Sequence, residues 1–260
     1  MESHGDLWRL GVFFGMLAAM LVAETLIPAR PWHDSRWKRL GFHSVVAVLN
    51  QVLMRLIFVP PLLFLAATVH ERGLGIGPAL GVSVWVDVAV TLVLFDFLDY
   101  WMHRLHHRVP LLWRLHRTHH YDTHVDVSTT LRFHILEFAS STVFKASWIL
   151  IWGPSLFAFA IFEAAITFYA MFHHSNIRLG PLEKIVRWVH MTPQLHAGHH
   201  TVSLRTRDNN YSTIFLWWDH LFGTFIEPND EEVKELGIKE GRNSDLNLKW
   251  FWASPFRMGP

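Results

Sequence analysis

The chain contains no cysteine. That excludes disulfides, thiolate zinc sites and thiolate-ligated iron–sulfur clusters, so any metal must be held by imidazole, carboxylate or backbone oxygen. Charge is scarce too. Asp, Glu, Lys and Arg make up 17% of 260 residues, below the usual quarter, and the formal net charge is +1. A chain this close to neutral gives no electrostatic reason to expect nucleic acid as a partner. No H-E-x-x-H occurs, which removes the zinc-protease arrangement.

What the chain does have is apolar, aromatic and rich in imidazole. Hydrophobic residues make up 51%, with 20 Phe, 13 Trp and 19 His. Indole favours the membrane–water boundary. Fourteen of the histidines fall between His103 and His200.

Residues 10–27 are apolar except for Glu24 and Thr25, close to the roughly 20 residues that span a bilayer. No small-residue cleavage site follows. A basic loop with Arg30, Arg36, Lys38, Arg39, Trp32 and Trp37 follows instead, which reads as a cytoplasmic interfacial turn. A second apolar stretch over 45–69 is interrupted by Arg55 and Pro60-Pro61 and is expected to kink or divide. Residues 70–78 read as a glycine-rich turn. A third stretch over 79–100 carries Asp87, Asp96 and Asp99, and carboxylates at such depth face a partner or a polar cavity. Residues 122–130 read as a loop. Two more apolar arms, 135–152 and 156–172, meet at Gly153-Pro154, a hairpin tip. Residues 182–189 read as a short helix and 227–245 as an acidic, solvated tail. With the basic loop inside, the histidines fall on the cytoplasmic side. The expected fold is all-α: an integral membrane bundle of about four to five membrane helices or hairpins with a cytoplasmic histidine-rich cap. Membrane helices occupy 1–95, the histidine-rich region 96–226 and a polar tail 227–260.

The histidines fall in three clusters. His103 and His107 are four apart; His116, His119 and His120 sit at zero, three and four; His196, His199 and His200 repeat that spacing. On helices these offsets put imidazoles on one face, a turn apart. Eight imidazoles exceed what one tetrahedral zinc takes, so two metal ions are the simplest account. Ligand type alone does not choose among iron, copper, nickel and zinc. Asp96 and Asp99 share a helix stripe with His103 and His107. Asp99 is expected to accept the far N–H of a ligating imidazole, and Asp219 to do the same for the third cluster.

The motifs resemble those of the fatty acid hydroxylase/sterol desaturase superfamily of membrane di-iron oxygenases. They run from D-x-x-x-Y-W-x-H-R-x-H-H at Asp96 to His107, through H-x-x-H-H at His116 to His120 and Arg132-Phe133-His134-Ile135-Leu136-Glu137. Phe172-His173-His174-Ser175-Asn176, the block from Thr192 to His200, Asn210-Tyr211 and Trp218-Asp219-His220-Leu221-Phe222-Gly223-Thr224 follow. The resemblance implies as ligands His103, His107, His116, His119, His120, His196, His199 and His200, with a further one at His174 or its neighbour His173. His134 occupies the place of a family histidine usually followed by proline; here Ile135 follows, and His134 is expected as ligand or support. His106, His124, His190 and His220 read as supporting or structural. The implied cofactor is two iron ions, with zinc or another divalent metal able to occupy the site in a purified sample. The implied reaction is O2-dependent hydroxylation or desaturation of a lipid such as an acyl chain or sterol, fed by an electron-donor protein and its reductase. Ether-lipid or carotenoid monooxygenation on the same fold is the alternative, and a non-enzymatic membrane metal-binding protein is the third reading.

Overall fold

The computed structural model describes residues 2–32, 35–240, 242 and 246–257, so the tail expected over 227–260 falls partly outside them. Helix α1 spans Glu2–Leu26. Its buried Glu24 accepts hydrogen bonds from the backbone of Val127 at 2.7 Å and Asn176 at 2.8 Å, and from the Arg36 guanidinium at 2.8 Å. A charge that looks costly in an apolar run is thus a clasp between three segments. Helix α2, Arg36–Leu53, is capped by Ser35. A π-helical turn, Met54–Phe58, leads into α3, Val59–Glu71. Pro60 and Pro61 lack N–H groups and crowd the carbonyls four residues earlier, and the π-turn absorbs that misfit. This is the expected interruption.

After the short α4, Ile76–Leu80, Ser83 caps α5, Val84–Arg108. Helix α5 runs past the predicted end of the apolar stretch and carries His103 and His107 on its last turns. Val109 is extended, as a residue before proline prefers, and Pro110 takes the first position of α6, Pro110–His120. One residue therefore forms the elbow between the first two histidine clusters. Helix α7, Ile135–Trp152, and α8, Leu156–His174, form the expected hairpin. Gly153 at its tip has φ +73°, and a Cβ there would lie 2.4 Å from the Leu74 carbonyl, so only glycine fits. The remaining helices are short: α9 Glu183–Val186, α10 Pro193–His199, α11 Leu204–Arg207, α12 Trp217–Leu221 and α13 Leu248–Ala253. The helix read over 182–189 shrinks to the four residues of α9. Among the described residues β pairing is limited to three isolated bridges.

The main core joins Ala66 and Val69 of α3, Phe95 of α5, Ile149 of α7 and Phe159 and Phe162 of α8. The outer faces are apolar as well, with Leu56, Phe64, Trp85 and Val143 exposed. Three stretches are long and apolar enough to cross a membrane: Arg36–Leu80, Ile135–Trp152 and Leu156–His174. The most apolar part of the first is only 11% buried inside the protein, which suits a lipid-facing surface. Residues 11–26 form a shorter apolar helix. Helix α5, with its three aspartates, packs against α7 and α8 as the inner helix of the bundle.

One end of the bundle gathers the polar groups. Arg39, fully buried at the start of α2, makes a bidentate pair with Asp122 at 2.6 and 2.8 Å, and its Nε reaches Asp126 at 3.0 Å. Burial alone would raise the Asp122 carboxyl, but the Arg39 guanidinium holds it well below the usual range. The segment read as a loop is therefore a pinned structure, ending in a 3-10 turn, Val127–Leu131, with Asp126 as its cap.

Candidate metal centre

Nine imidazoles from α5, α6, α8 and α10 come together as two adjoining groups. The first holds His103, His107, His116, His120 and His199; the second holds His119, His174, His196 and His200. Within each group, one nitrogen from every ring lies within 4.8 Å of the others. The groups touch through His120 and His200, whose rings stack at 4.4 Å. The two H-x-x-H-H motifs divide in mirror fashion. On α6 the i,i+4 pair His116 and His120 faces the first group and His119 the second; at α10 the pair His196 and His200 faces the second group and His199 the first. Helical phase produces this split, because the i+3 residue points about 60° to one side of residue i and the i+4 residue about 40° to the other.

Hydrogen bonds fix most of the rings. Nδ1 of His103 meets the Tyr211 carbonyl at 2.8 Å, and Nδ1 of His199 meets the Asn209 carbonyl at 2.7 Å. His107 faces Asp208 Oδ1 at 3.2 Å, and His116 faces Glu137 Oε1 at 2.7 Å. In the second group His119 meets the Arg132 carbonyl at 3.1 Å and His174 the Ala170 carbonyl at 2.8 Å. Every one of these partners is an acceptor, so the proton resides on Nδ1 and Nε2 presents a lone pair.

The Nε2 atoms of these rings and their neighbours converge. His174 Nε2 lies 3.0 Å from His119 Nε2 and 2.9 Å from His196 Nε2; His196 and His200 are 3.1 Å apart, as are His116 and His120. With both Nδ1 atoms already donating, the His119–His174 contact has no proton to share. Two lone pairs that close repel unless a cation lies between them. Metal–imidazole bonds of about 2.1 Å at right angles would set neighbouring nitrogens about 3.0 Å apart. Nε2 of His107 and of His199 are buried with no hydrogen-bond partner, as unligated donors would be. The donor set fits metal ions.

Burial works in the same direction. It pushes His116 down to about 3, and lowers His119, His120, His196, His199 and His200, with neighbouring imidazoles adding to the effect for these five. Rings that resist protonation keep their lone pairs for a metal.

Several expected roles move. Asp99 bonds no imidazole; its Oδ2 is buried without a partner, and the acceptor for His103 is a backbone carbonyl. Asp219 also acts at one remove. It accepts from the backbone of Tyr211 and Ser212, both at 2.9 Å, and so sets the carbonyl that holds His103. Asp96 pins the same segment through Ile214 and Phe215. Residues 208–211 supply three acceptors to the first group around Asn210, which has φ +55° and is tied down by bonds to Ile226. Of the Phe172 motif, His174 joins the second group. His173 stands beside it, its ring 4.1 Å from His196 and its Nδ1 3.2 Å from the Thr213 carbonyl, but belongs to neither group. His134 lies outside both groups and caps α7, accepting from Leu136 N at 3.3 Å. His106 bonds Met102 and Ser140, and His190 bonds Tyr169 and Ile214. Glu137 and Asp208 are the carboxylates that sequence reasoning did not assign. Glu137 lies inside a quoted motif; nothing in the sequence marks Asp208.

A family model described as fatty acid hydroxylase matches residues 88–224, just over half of the chain and all nine clustered histidines. The chain belongs to the fatty acid hydroxylase family. Curated relatives are 32% identical over 173 residues (alkylglycerol monooxygenase of Homo sapiens, 62% of this chain and 37% of the relative) and 29% over 247 (ornithine lipid hydroxylase OlsE of Rhizobium tropici, 89% and 71%). A Delta(7)-sterol-C5(6)-desaturase of Nicotiana tabacum is 32% identical over 158 residues, 59% of this chain and 55% of the relative. The chain spans well under half the length of the alkylglycerol monooxygenases it matches. No solved structure matches it. The two imidazole groups thus sit within the part of this family member that the family shares.

Proposed function

We propose that the chain is a non-haem di-iron membrane oxidoreductase that uses O2 and an external electron donor to hydroxylate or desaturate a lipid. The observation that carries the reading is the pair of adjoining imidazole groups with Nε2 lone pairs turned inward at one end of an apolar bundle. His103, His107, His116, His120 and His199 would hold one iron, and His119, His174, His196 and His200 the other. Bound there, the pair of ions would supply the O2 activation needed to break an unactivated C–H bond. The chain's own part is to keep each ring neutral and oriented. Glu137, Asp208 and four backbone carbonyls do this for six of the nine rings by accepting hydrogen bonds from Nδ1, and burial keeps all nine from protonation.

Relatives named as an alkylglycerol monooxygenase, an ornithine lipid hydroxylase and a sterol desaturase support a lipid substrate. The basic segment supports a cytoplasmic catalytic face: Arg30 donates to the Val125 carbonyl at 2.8 Å and Arg39 grips Asp122, so this segment shares the histidine end of the bundle. The test is metal analysis of the purified chain together with reductase-dependent oxygen uptake on lipid extracts. Two irons per chain with substrate-dependent uptake support the reading. Bound metal without turnover on any lipid would assign the chain to metal binding instead.

A further inference from the structure

A second polar cluster lies inside the apolar bundle and touches none of the imidazoles. Lys145 of α7 and Glu163 of α8 form an ion pair at 2.6 Å. Lys145 is ten residues into α7 and Glu163 eleven residues before His174, so both lie roughly 15 Å from the histidine end of their helices. Lys145 also interacts electrostatically with Asp99 of α5, and Asp99 Oδ2 is buried without a hydrogen-bond partner. Side-chain exposure is 43% at Glu163 and 18% at Lys145, and Asp99 is 4% exposed. The cluster therefore leads inward from the outer surface where α7 and α8 meet. Its inner end is one helical turn, about 6 Å along α5, from His103.

Ionisable groups at membrane depth are costly and tend to mark the path of a ligand. An ion pair for packing alone would need one carboxylate for the one ammonium. Here there are two carboxylates, and the deeper one keeps an acceptor atom free. We propose that Asp99, Lys145 and Glu163 bind the polar group of the lipid substrate, which would enter from the bilayer beside α7 and α8; this rests on the lipid-oxidation reading. The free atom is a carboxyl oxygen that no donor of the chain meets. The group it takes is a hydrogen-bond donor, a hydroxyl or a protonated amine, and not a carboxylate or phosphate. Seated on Asp99, such a group would fix how far along its chain the lipid presents a carbon to the imidazole groups.

Binding to the full chain in detergent tests this without metal or turnover, so its failure would leave the oxidase reading standing. The probes are 1-O-hexadecylglycerol, hexadecylamine and the 2,3-di-O-methyl ether of the same glycerol lipid, which has no donor. At least one donor probe should bind roughly tenfold tighter than the methyl ether, as one hydrogen bond to a buried carboxylate implies. The preferred donor separates a hydroxyl site from an amine site. Asp99→Leu should bring both donor probes to the level of the ether, leaving ether binding and metal content unchanged. Should that variant not fold, Asp99→Asn keeps the shape and should erase any preference for the amine over the hydroxyl, or, where the hydroxyl is preferred, weaken hydroxyl binding without changing the ether. Equal binding of all three probes to the unaltered chain overturns the proposal. So does a parallel loss of all three in the Asp99 variants, which would mark the cluster as structural.

Discussion

Glu137 and Asp208 both serve the first imidazole group, whereas the second is held only by backbone carbonyls, with His196 and His200 Nδ1 buried without partners. A carboxylate partner makes an imidazole a stronger donor and fixes its orientation, and losing such a partner costs roughly 10–100-fold in metal affinity. The two metal positions should therefore differ. Chelator titration of the loaded protein should remove metal in two steps. Glu137→Gln and Asp208→Asn should each weaken the tighter step and leave the other in place; a single step, or equal weakening of both, would count against the assignment. His199→Ala should abolish activity and lower metal content. His220→Ala should do neither, because that ring is exposed and stacks only on Phe225 at 4.4 Å.

At the scale of elements, α10 is the most exposed to small changes, since seven residues carry two of the imidazoles and His200 closes its end. Gly198 lets it approach Pro228: a Cβ there would lie 2.6 Å from the proline ring. Gly198→Ala should push α10 away and lower both metal content and melting temperature. Gly153→Ala should lower the melting temperature too, through about 1–3 kcal/mol of backbone strain plus a clash with Leu74, while the folded fraction keeps its metal. Eight of the nine clustered histidines were legible in the sequence because three-and-four spacing is a helical signature that survives any packing, whereas His174 has no such partner in spacing. Their division between two groups was not, because it depends on how α5, α6 and α10 cross. Helical phase likewise put Asp99 on the correct stripe with His103, but phase names a side of the helix and not a partner. The loop 208–211, whose contribution is mostly backbone carbonyl, leaves almost no mark in side-chain identity. The hairpin was legible from Gly153-Pro154, and the interruption of the second stretch from its prolines.

For the whole molecule, the buried imidazoles link stability to pH. In the folded chain His116, His119, His120, His196, His199 and His200 are held below the ordinary value near 6.5, so the unfolded chain binds more protons as pH falls past that value. Stability of the metal-free chain should be full above about pH 6.5 and decline steeply toward pH 4; denaturant midpoints across that range check it, and a flat profile would contradict it. The Arg39 hub ties the bundle to the segment following the second histidine cluster. Arg39→Leu, which leaves Asp122 and Asp126 buried without their cation, should cost about 3–5 kcal/mol. The central claim is that remote parts of the chain assemble two separate metal positions. Elemental analysis of the full chain purified in a membrane mimetic, alongside a His103→Ala/His107→Ala pair and a His174→Ala/His196→Ala pair, tests it most directly. Two metal ions per chain, with at least one lost in each double variant, is the result expected; at most one ion in the unaltered chain, or two ions retained by either double variant, would contradict it.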